Sequence, residues 1–435
     1  MTRVVVTGLG VACPLGTDPE TVAQAQRDGR SGAGPLADAF DTTHFEVQTA
    51  CRVPDWDPSH LGRFAPALAD SGDRKAEFGV HAAVQALRHA FGDDASAQAA
   101  IAALPGRAAL HTASGLVSSL PAEGEADVLA CLGPDRAFDF AASMESLKAA
   151  NHLRARHFTD RVNQLLAWGY GFSGPSLVNH GACAAGAVAI GTAARWIRRG
   201  RCDLAVAGGF ESMIHPFGVL SFQMLGALSE RTDCDHTAVS RPFDSTRDGF
   251  VIGEGAGMLV LESEEHARAR GATVLGVVHG LGSSLDSYRT TAPPPDGRGA
   301  VVAMRAALAE AKLQPADIDW VSAHGTGTPL NDSAETAAVR AVFGDRGVAP
   351  PLISSKSAIG HAVAAAGAVE AVLALLALRD GIIPPTLNLN SPDPECDLDH
   401  VPHEARRAPD ARYVLSNSFG FGGVNGSLVL GRADT

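Results

Sequence analysis

The chain has 435 residues, more than one typical domain of about 100–200 residues, so two domains or one large duplicated unit is expected. Hydrophobic residues make up 46% and charged residues 19%, a globular composition that excludes a disordered chain. A net charge of −13 and a pI near 5.6 exclude nucleic acid or an anionic membrane as the main partner, because such surfaces attract clustered Lys and Arg.

The opening MTRVVVTGLGVA has too short an apolar run for a secretion signal and reads as a buried strand entering a glycine turn. VVVTGLGVAC is only a weak dinucleotide fingerprint, since Cys13 stands where the last Gly would fall. No stretch reaches the roughly 18 uninterrupted apolar residues of a membrane helix. The seven cysteines, Cys13, Cys51, Cys131, Cys183, Cys202, Cys234 and Cys396, are scattered and never in CxxC spacing. They suggest neither a disulfide framework nor a metal site, and reduced thiols in a cytoplasmic protein fit best.

Internal similarity is the strongest organising signal. CAAGAVAIGTAARWIRRG at 183–200 aligns with AAAGAVEAVLALLALRDG at 364–381, and both read as small-residue helices closing on glycine. VVTGLG at 5–10 is echoed by VVHGLG at 277–282. Two related halves are expected, 1–265 and 266–435, with the small-residue helices packed face to face at the centre. The stretch 122–164 has no counterpart in the second half and reads as an insertion over the site or at a subunit interface. Pro-rich stretches at 293–297 and 384–394 read as turns.

Where the second half has Ala364, the first has Cys183. A cysteine at a helix start sits beside unpaired N–H groups and the positive end of the dipole, which favours thiolate. His324 in VSAHGTGTPLND and His361 in ISSKSAIGHAVAAAG lie in glycine-flanked turns after strand-like runs, where functional groups are presented. Lys356 is one of four lysines and sits among small residues. LSNSFGFGGVNG at 415–426 reads as a strand entering a loop whose amides can approach a ligand.

GACAAG, AHGTGTPLND, SSKSAIGH and NSFGFGGVNG, in this order across the whole chain, resemble the elongating β-ketoacyl carrier-protein synthases, closest to the standalone type II enzymes. SRPFDSTRDGFVIGEGAGMLVLE and CDLDHVPHEAR add to the resemblance. It implies an α/β thiolase-like fold with two pseudo-duplicated halves in α-β-α-β-α layers. It further implies that Cys183 accepts the acyl group, that His324 and His361 are the histidine pair, and that Lys356 supports the second. Phe421 matches the gating phenylalanine, whose N–H with that of Cys183 would form an oxyanion hole. Thr291, Thr326 and Thr328 match threonines on the phosphopantetheine arm, Asp332 and Glu335 acidic supports, and Phe222 and Met224 acyl-pocket positions. The implied reaction is decarboxylative condensation with a malonyl group on an acyl carrier protein, without a bound cofactor. The implied assembly is a homodimer or a heterodimer with a chain-length factor.

Departures are Gly181 in place of threonine or serine, preceded by Asn179 and His180, then Arg289 in place of histidine, and PLND in place of PxGD. The ND form resembles the specialised-metabolite branch. An acidic carrier needs a basic rim, for which Arg74, Lys75 and Arg289 are candidates. Starter-type synthases carry asparagine where this chain has His361, thiolases a second cysteine near the C-terminal glycine loop, and chain-length partners lack the nucleophile.

Overall fold

The structure is a computed structural model that describes all residues except 1, 70–71, 116–128, 130, 134 and 146–157. About half of the insertion expected at 122–164 therefore falls outside the described residues. Ten strands form the continuous path of a 12-stranded sheet: β1 (Val4–Ala12), β2 (Ala108–Ala113), β3 (Ser176–Asn179), β4 (Leu204–Ser212), β5 (Ile252–Ser263), β6 (Gly276–Leu285), β7 (Trp320–Ser322), β8 (Leu352–Ile353), β9 (Tyr413–Phe419) and β10 (Val424–Gly431), with the short strands Ala33–Pro35 and Thr49–Cys51 branching from β5. Outward from the middle they run β1-β5-β4-β2-β3 on one side and β6-β10-β9-β7-β8 on the other. Each strand thus has its counterpart five places later. The directions match too: antiparallel for the two inner pairs of each half, parallel for the two outer ones. The halves join through β1 and β6 at Val5–Val277 and Val6–Gly276.

Strands buried on both faces explain why the sequence shows near-continuous apolar runs here rather than alternation. In the first half Leu259 and Leu261 face a core shared with helices α2 (Ala185–Arg198) and α5 (Ala366–Asp380), while Met258 and Val260 face helix α1 (Arg74–Phe91). In the second half Leu428 and Leu430 join that central core, and Val429 faces helices α3 (Arg298–Ala311) and α4 (Pro329–Phe343). The result is helix, sheet, central helix pair, sheet, helix, which is the layered architecture the sequence implied.

The glycines of the VVTGLG echo do not make the turn expected from sequence. They lie inside β1 and β6, where a Cβ on Gly10 would come within 1.8 Å of the Ala82 carbonyl oxygen and one on Gly282 within 1.8 Å of that of Ala303. Both outer helices press their backbones onto the sheet at equivalent places, and only glycine leaves the room. Gly186 and Gly367 do the same between α2 and α5: a Cβ on Gly186 would lie 3.0 Å from the Ala364 carbonyl oxygen, and one on Gly367 3.0 Å from the Ala187 nitrogen.

Gly282→Ala is expected to lower the unfolding free energy by about 2–3 kcal/mol through overpacking, read from urea denaturation. Gly34→Ala, which would meet nothing within 4 Å, should leave the midpoint close to wild type.

Candidate active site

The two helices of the repeat begin in the same unusual way. Ala182 has φ +47° and Val363 φ +42°, each opening a short 3-10 turn that leads into α2 or α5. Side-chain-bearing residues avoid this region, and a β-branched one most of all, so tertiary packing must hold the shape. In the first half the elbow presents Cys183, and in the second Ala364.

His361 reaches Cys183 from the other half, its Nε2 3.1 Å from Sγ. His324 stands edge-on to His361 at 5.2 Å between ring centroids. One ring nitrogen of each histidine and Sγ lie within 4.8 Å of one another. All three residues are buried yet line a cavity of about 380 Å³, with Phe421, Thr291, Thr326, Thr328 and Arg289 among its other walls. The sulfur therefore faces both rings across a space that leads to exposed residues such as Leu330.

The electrostatics correct one expectation. A helix-start cysteine was expected to favour thiolate, but burial pushes Cys183 up to about 11, against the charge of Lys356 and the backbone N–H groups of Phe421 and Cys183 that point at the sulfur. The resting group is a thiol, and the neighbouring imidazole must take its proton. Burial first, and Lys356 second, hold both His324 and His361 well below the ordinary histidine range, so both are neutral at pH 7. With Sγ–H donating to His361 Nε2, the ring proton sits on Nδ1, which has no hydrogen-bond partner among the described residues.

Behind these groups lies a buried polar shell. Lys356 Nζ pairs with Glu370, and both side chains are almost fully buried. Sequence reasoning missed Glu370, although it is the lone charge within the apolar run 366–378 of α5. Glu335 accepts from the backbone N–H of His324 at 2.9 Å and of Gly325 at 2.8 Å, and from the side chain of Asn417 at 3.1 Å. Burial raises it to about 7 against those donors. Asp332 accepts from the N–H groups of Phe243 and Gly327 and pairs with Arg247, which fixes the loop carrying Thr326 and Thr328. Asn417 and Arg247 also escaped notice, since nothing local marks which polar residues of a motif turn inward.

Other expectations fare unevenly. Phe222 packs behind Phe421, ring centroids 6.5 Å apart. Met224 does not line the cavity: the end of its short helix Pro216–Met224 points outward and leaves the side chain 80% exposed. Of the basic rim only Arg289 is at the cavity mouth. Arg74 is tied to Glu254 at 2.7 Å and Lys75 is 2% exposed, because this end of α1 packs inward. His180 does not approach Cys183; its Nδ1–H donates to the Ser114 carbonyl at 2.8 Å. All seven cysteines are unbridged. Among the described residues no helix is long and apolar enough to cross a membrane.

A thiol beside a neutral imidazole, two amides aimed at the sulfur and a second imidazole on the same cavity can carry an acyl group and hold an oxyanion. Fold and site together define an acyltransferase of the thiolase fold. Residues 1–267 match the N-terminal domain, and residues 275–390 the C-terminal domain, of the family described as beta-ketoacyl synthase. The 3-oxoacyl-[acyl-carrier-protein] synthase 2 of Coxiella burnetii is 38% identical over 430 residues, covering 99% of this chain and 98% of the relative. A solved type II PKS acyl-carrier protein in complex with its ketosynthase bound to the hexaketide, AntDE:AntF, aligns with a TM-score of 0.84 at 30% identity, covering 99% of both chains. The ishigamide ketosynthase/chain length factor aligns with a TM-score of 0.83 at 36% identity, again over 99% of both chains. The chain belongs to the β-ketoacyl synthase family of condensing enzymes.

Breaking the buried pair tests its charge. Glu370→Leu alone strands an ammonium and should cost about 3–5 kcal/mol in urea denaturation, whereas Lys356→Met combined with Glu370→Leu should cost clearly less.

Proposed function

We propose that this chain condenses an acyl group held on Cys183 with a malonyl group carried by an acyl carrier protein, giving a β-ketoacyl carrier protein in fatty acid or polyketide assembly. The single observation that carries this reading is the approach of His361 Nε2 to within 3.1 Å of Cys183 Sγ beside His324 in one cavity.

In the first half-reaction His361 Nε2 takes the thiol proton as sulfur attacks the acyl thioester carbon. The tetrahedral oxyanion is held by the N–H groups of Cys183 and Phe421. Collapse breaks the carbon–sulfur bond to the carrier, whose phosphopantetheine thiolate regains the proton from His361 and leaves acyl-Cys183. The malonyl thioester then loses CO2, and the electron pair of the broken carbon–carbon bond delocalises onto the thioester oxygen. With the thiol gone, His361 exchanges its ring proton through solvent from Nδ1 to Nε2, and that Nε2–H and an N–H of His324 donate to the enolate. Its carbon attacks acyl-Cys183, the carbon–sulfur bond to Cys183 breaks, and the thiolate takes a proton from solvent.

Neutral rings suit this chemistry, because each offers one N–H donor without the charge that burial disfavours. Burial holds them neutral, with the charge of Lys356 as the second cause. The same trio has ligand atoms near enough for a metal ion, but a buried ammonium beside it opposes a dication, and condensation needs none. Thr291, Thr326 and Thr328 line the cavity, and we assign them to the phosphopantetheine arm, which arrives on the carrier as substrate. Phe421 forms the acyl gate, with Phe222 behind it toward the acyl pocket and Asp332 and Glu335 as supports of the histidine loop. We place the division between halves at 265/266.

The carrier partner is supported by the acyl-carrier-protein complex of the AntDE:AntF structure, and the ND form at Asn331 and Asp332 leans toward specialised metabolism. Edge strand β3 leaves Leu177 half exposed, and an unpaired edge of this kind supports dimer pairing, with a second copy or a chain-length factor as in the ishigamide protein. A chain-length partner itself would have no use for Cys183.

Cys183→Ala is expected to abolish condensation while still releasing CO2 from malonyl carrier protein, because the histidines remain. His361→Ala should slow that CO2 release on the order of 100-fold. Unchanged CO2 release in His361→Ala, followed with 14C-malonyl carrier protein, would remove His361 from the mechanism.

A further inference from the structure

Counting back from the elbow pairs His180 with His361, Gly181 with Ala362 and Asn179 with Gly360, since Cys183 corresponds to Ala364. The two halves hold this entry to the elbow by different means. In the second half the backbone does it: the His361 N–H donates to the Val251 carbonyl at 2.8 Å and its carbonyl accepts from Gly253 at 3.0 Å. In the first half His180 has no backbone–backbone hydrogen bond among the described residues. Side chains replace it. Asn179 Oδ1 accepts from the Gly181 N–H at 2.9 Å, and its Nδ2 donates to the Ala185 carbonyl at 3.3 Å. Because one partner can only donate and the other only accept, the orientation of the amide is fixed.

The carboxamide therefore spans residues 181–185 and straddles Ala182, Cys183 and Ala184. Within that span lie the strained φ of Ala182 and the Cys183 N–H that points at the sulfur. Gly181 is the matching half of the device. A Cβ there would sit 3.2 Å from Asn179 Oδ1, tighter than an ordinary contact, so a larger residue would push the acceptor off the Gly181 N–H. The two departures at 179 and 181 thus form one unit.

We infer that Asn179, matched to Gly181, is a positioning residue of this chain that clamps the elbow and aims the Cys183 amide and sulfur for acyl transfer. The inference rests on the reading of Cys183 as acyl acceptor. It acts through the backbone and does not touch substrate.

The test uses Asn179→Ala, Gly181→Ala and the double variant in the full chain. Two quantities are followed: the rate at which Cys183 takes an acyl group from acyl carrier protein, and the pH midpoint for alkylation of Cys183 by iodoacetamide. Each single variant should slow acylation about tenfold, the scale of a small misplacement of a reacting group, and move the alkylation midpoint upward as the Cys183 N–H turns away. KM for the carrier should stay within about twofold, because a reacting group that is misaimed rather than unbound changes the chemical step. The double variant should be no slower than the slower single one, because both remove the same clamp. Should Asn179→Ala fail to fold, Gly181→Ala alone still reads both quantities. Wild-type acylation rate and alkylation midpoint in the single variants, or fully additive losses, would overturn the clamp. Alkylation needs no carrier, so a wild-type chain that alkylates at Cys183 but accepts no acyl group would overturn the functional reading and not the clamp.

Discussion

The site depends on one contact between the halves, Cys183 Sγ against His361 Nε2 at 3.1 Å. The thiol and the imidazole lie 178 residues apart, and each stands at the entry to one of the two central helices. Those helices must cross closely enough for the entries to meet. Gly186 and Gly367 allow this, since each lets the partner helix backbone approach where a side chain would stand. The small-residue pattern AAGAV, present twice, is therefore a geometric condition for chemistry as well as for packing.

Burial sets the protonation states in that contact. A thiol pushed up to about 11 and two imidazoles held below their ordinary range describe a neutral resting site. Charge is kept one layer back, in the Lys356–Glu370 pair and in Asp332 with Arg247. In the proposed reaction negative charge then develops only during turnover, where the amides of Cys183 and Phe421 are already aimed. Preorganised donors in a buried site cost no rearrangement at that moment. The duplicated elbow shows the same economy: the fold imposes the strained entry in both halves, and only one carries sulfur.

Much of this was legible in the sequence because repeats and small-residue motifs survive in one dimension. The AAGAV echo marked the central helices, and the pairing of Cys183 with Ala364 marked the reactive position. What escaped depends on which way a side chain turns once layers form. Gly8 and Gly10 looked like a turn because a glycine pair in sequence does not say whether a helix backbone will press on it. Arg74 and Lys75 looked like a rim because local charge does not reveal that α1 begins against the sheet. Met224 failed likewise at a helix end. Glu370 left a signal, a single carboxylate in an apolar helix, that its partner Lys356 could have made readable. Asn179 and Gly181 were visible only as separate departures, and the hydrogen bond joining them required the folded elbow.

The most direct test of the account is peptide-resolved mass spectrometry of the chain after incubation with an acyl carrier protein bearing a saturated acyl group. The account predicts one acyl group in thioester linkage on the peptide that contains Cys183 and none on the other six cysteines. Acyl transfer to another cysteine with Cys183 left free, or no covalent acyl group at all, would contradict it.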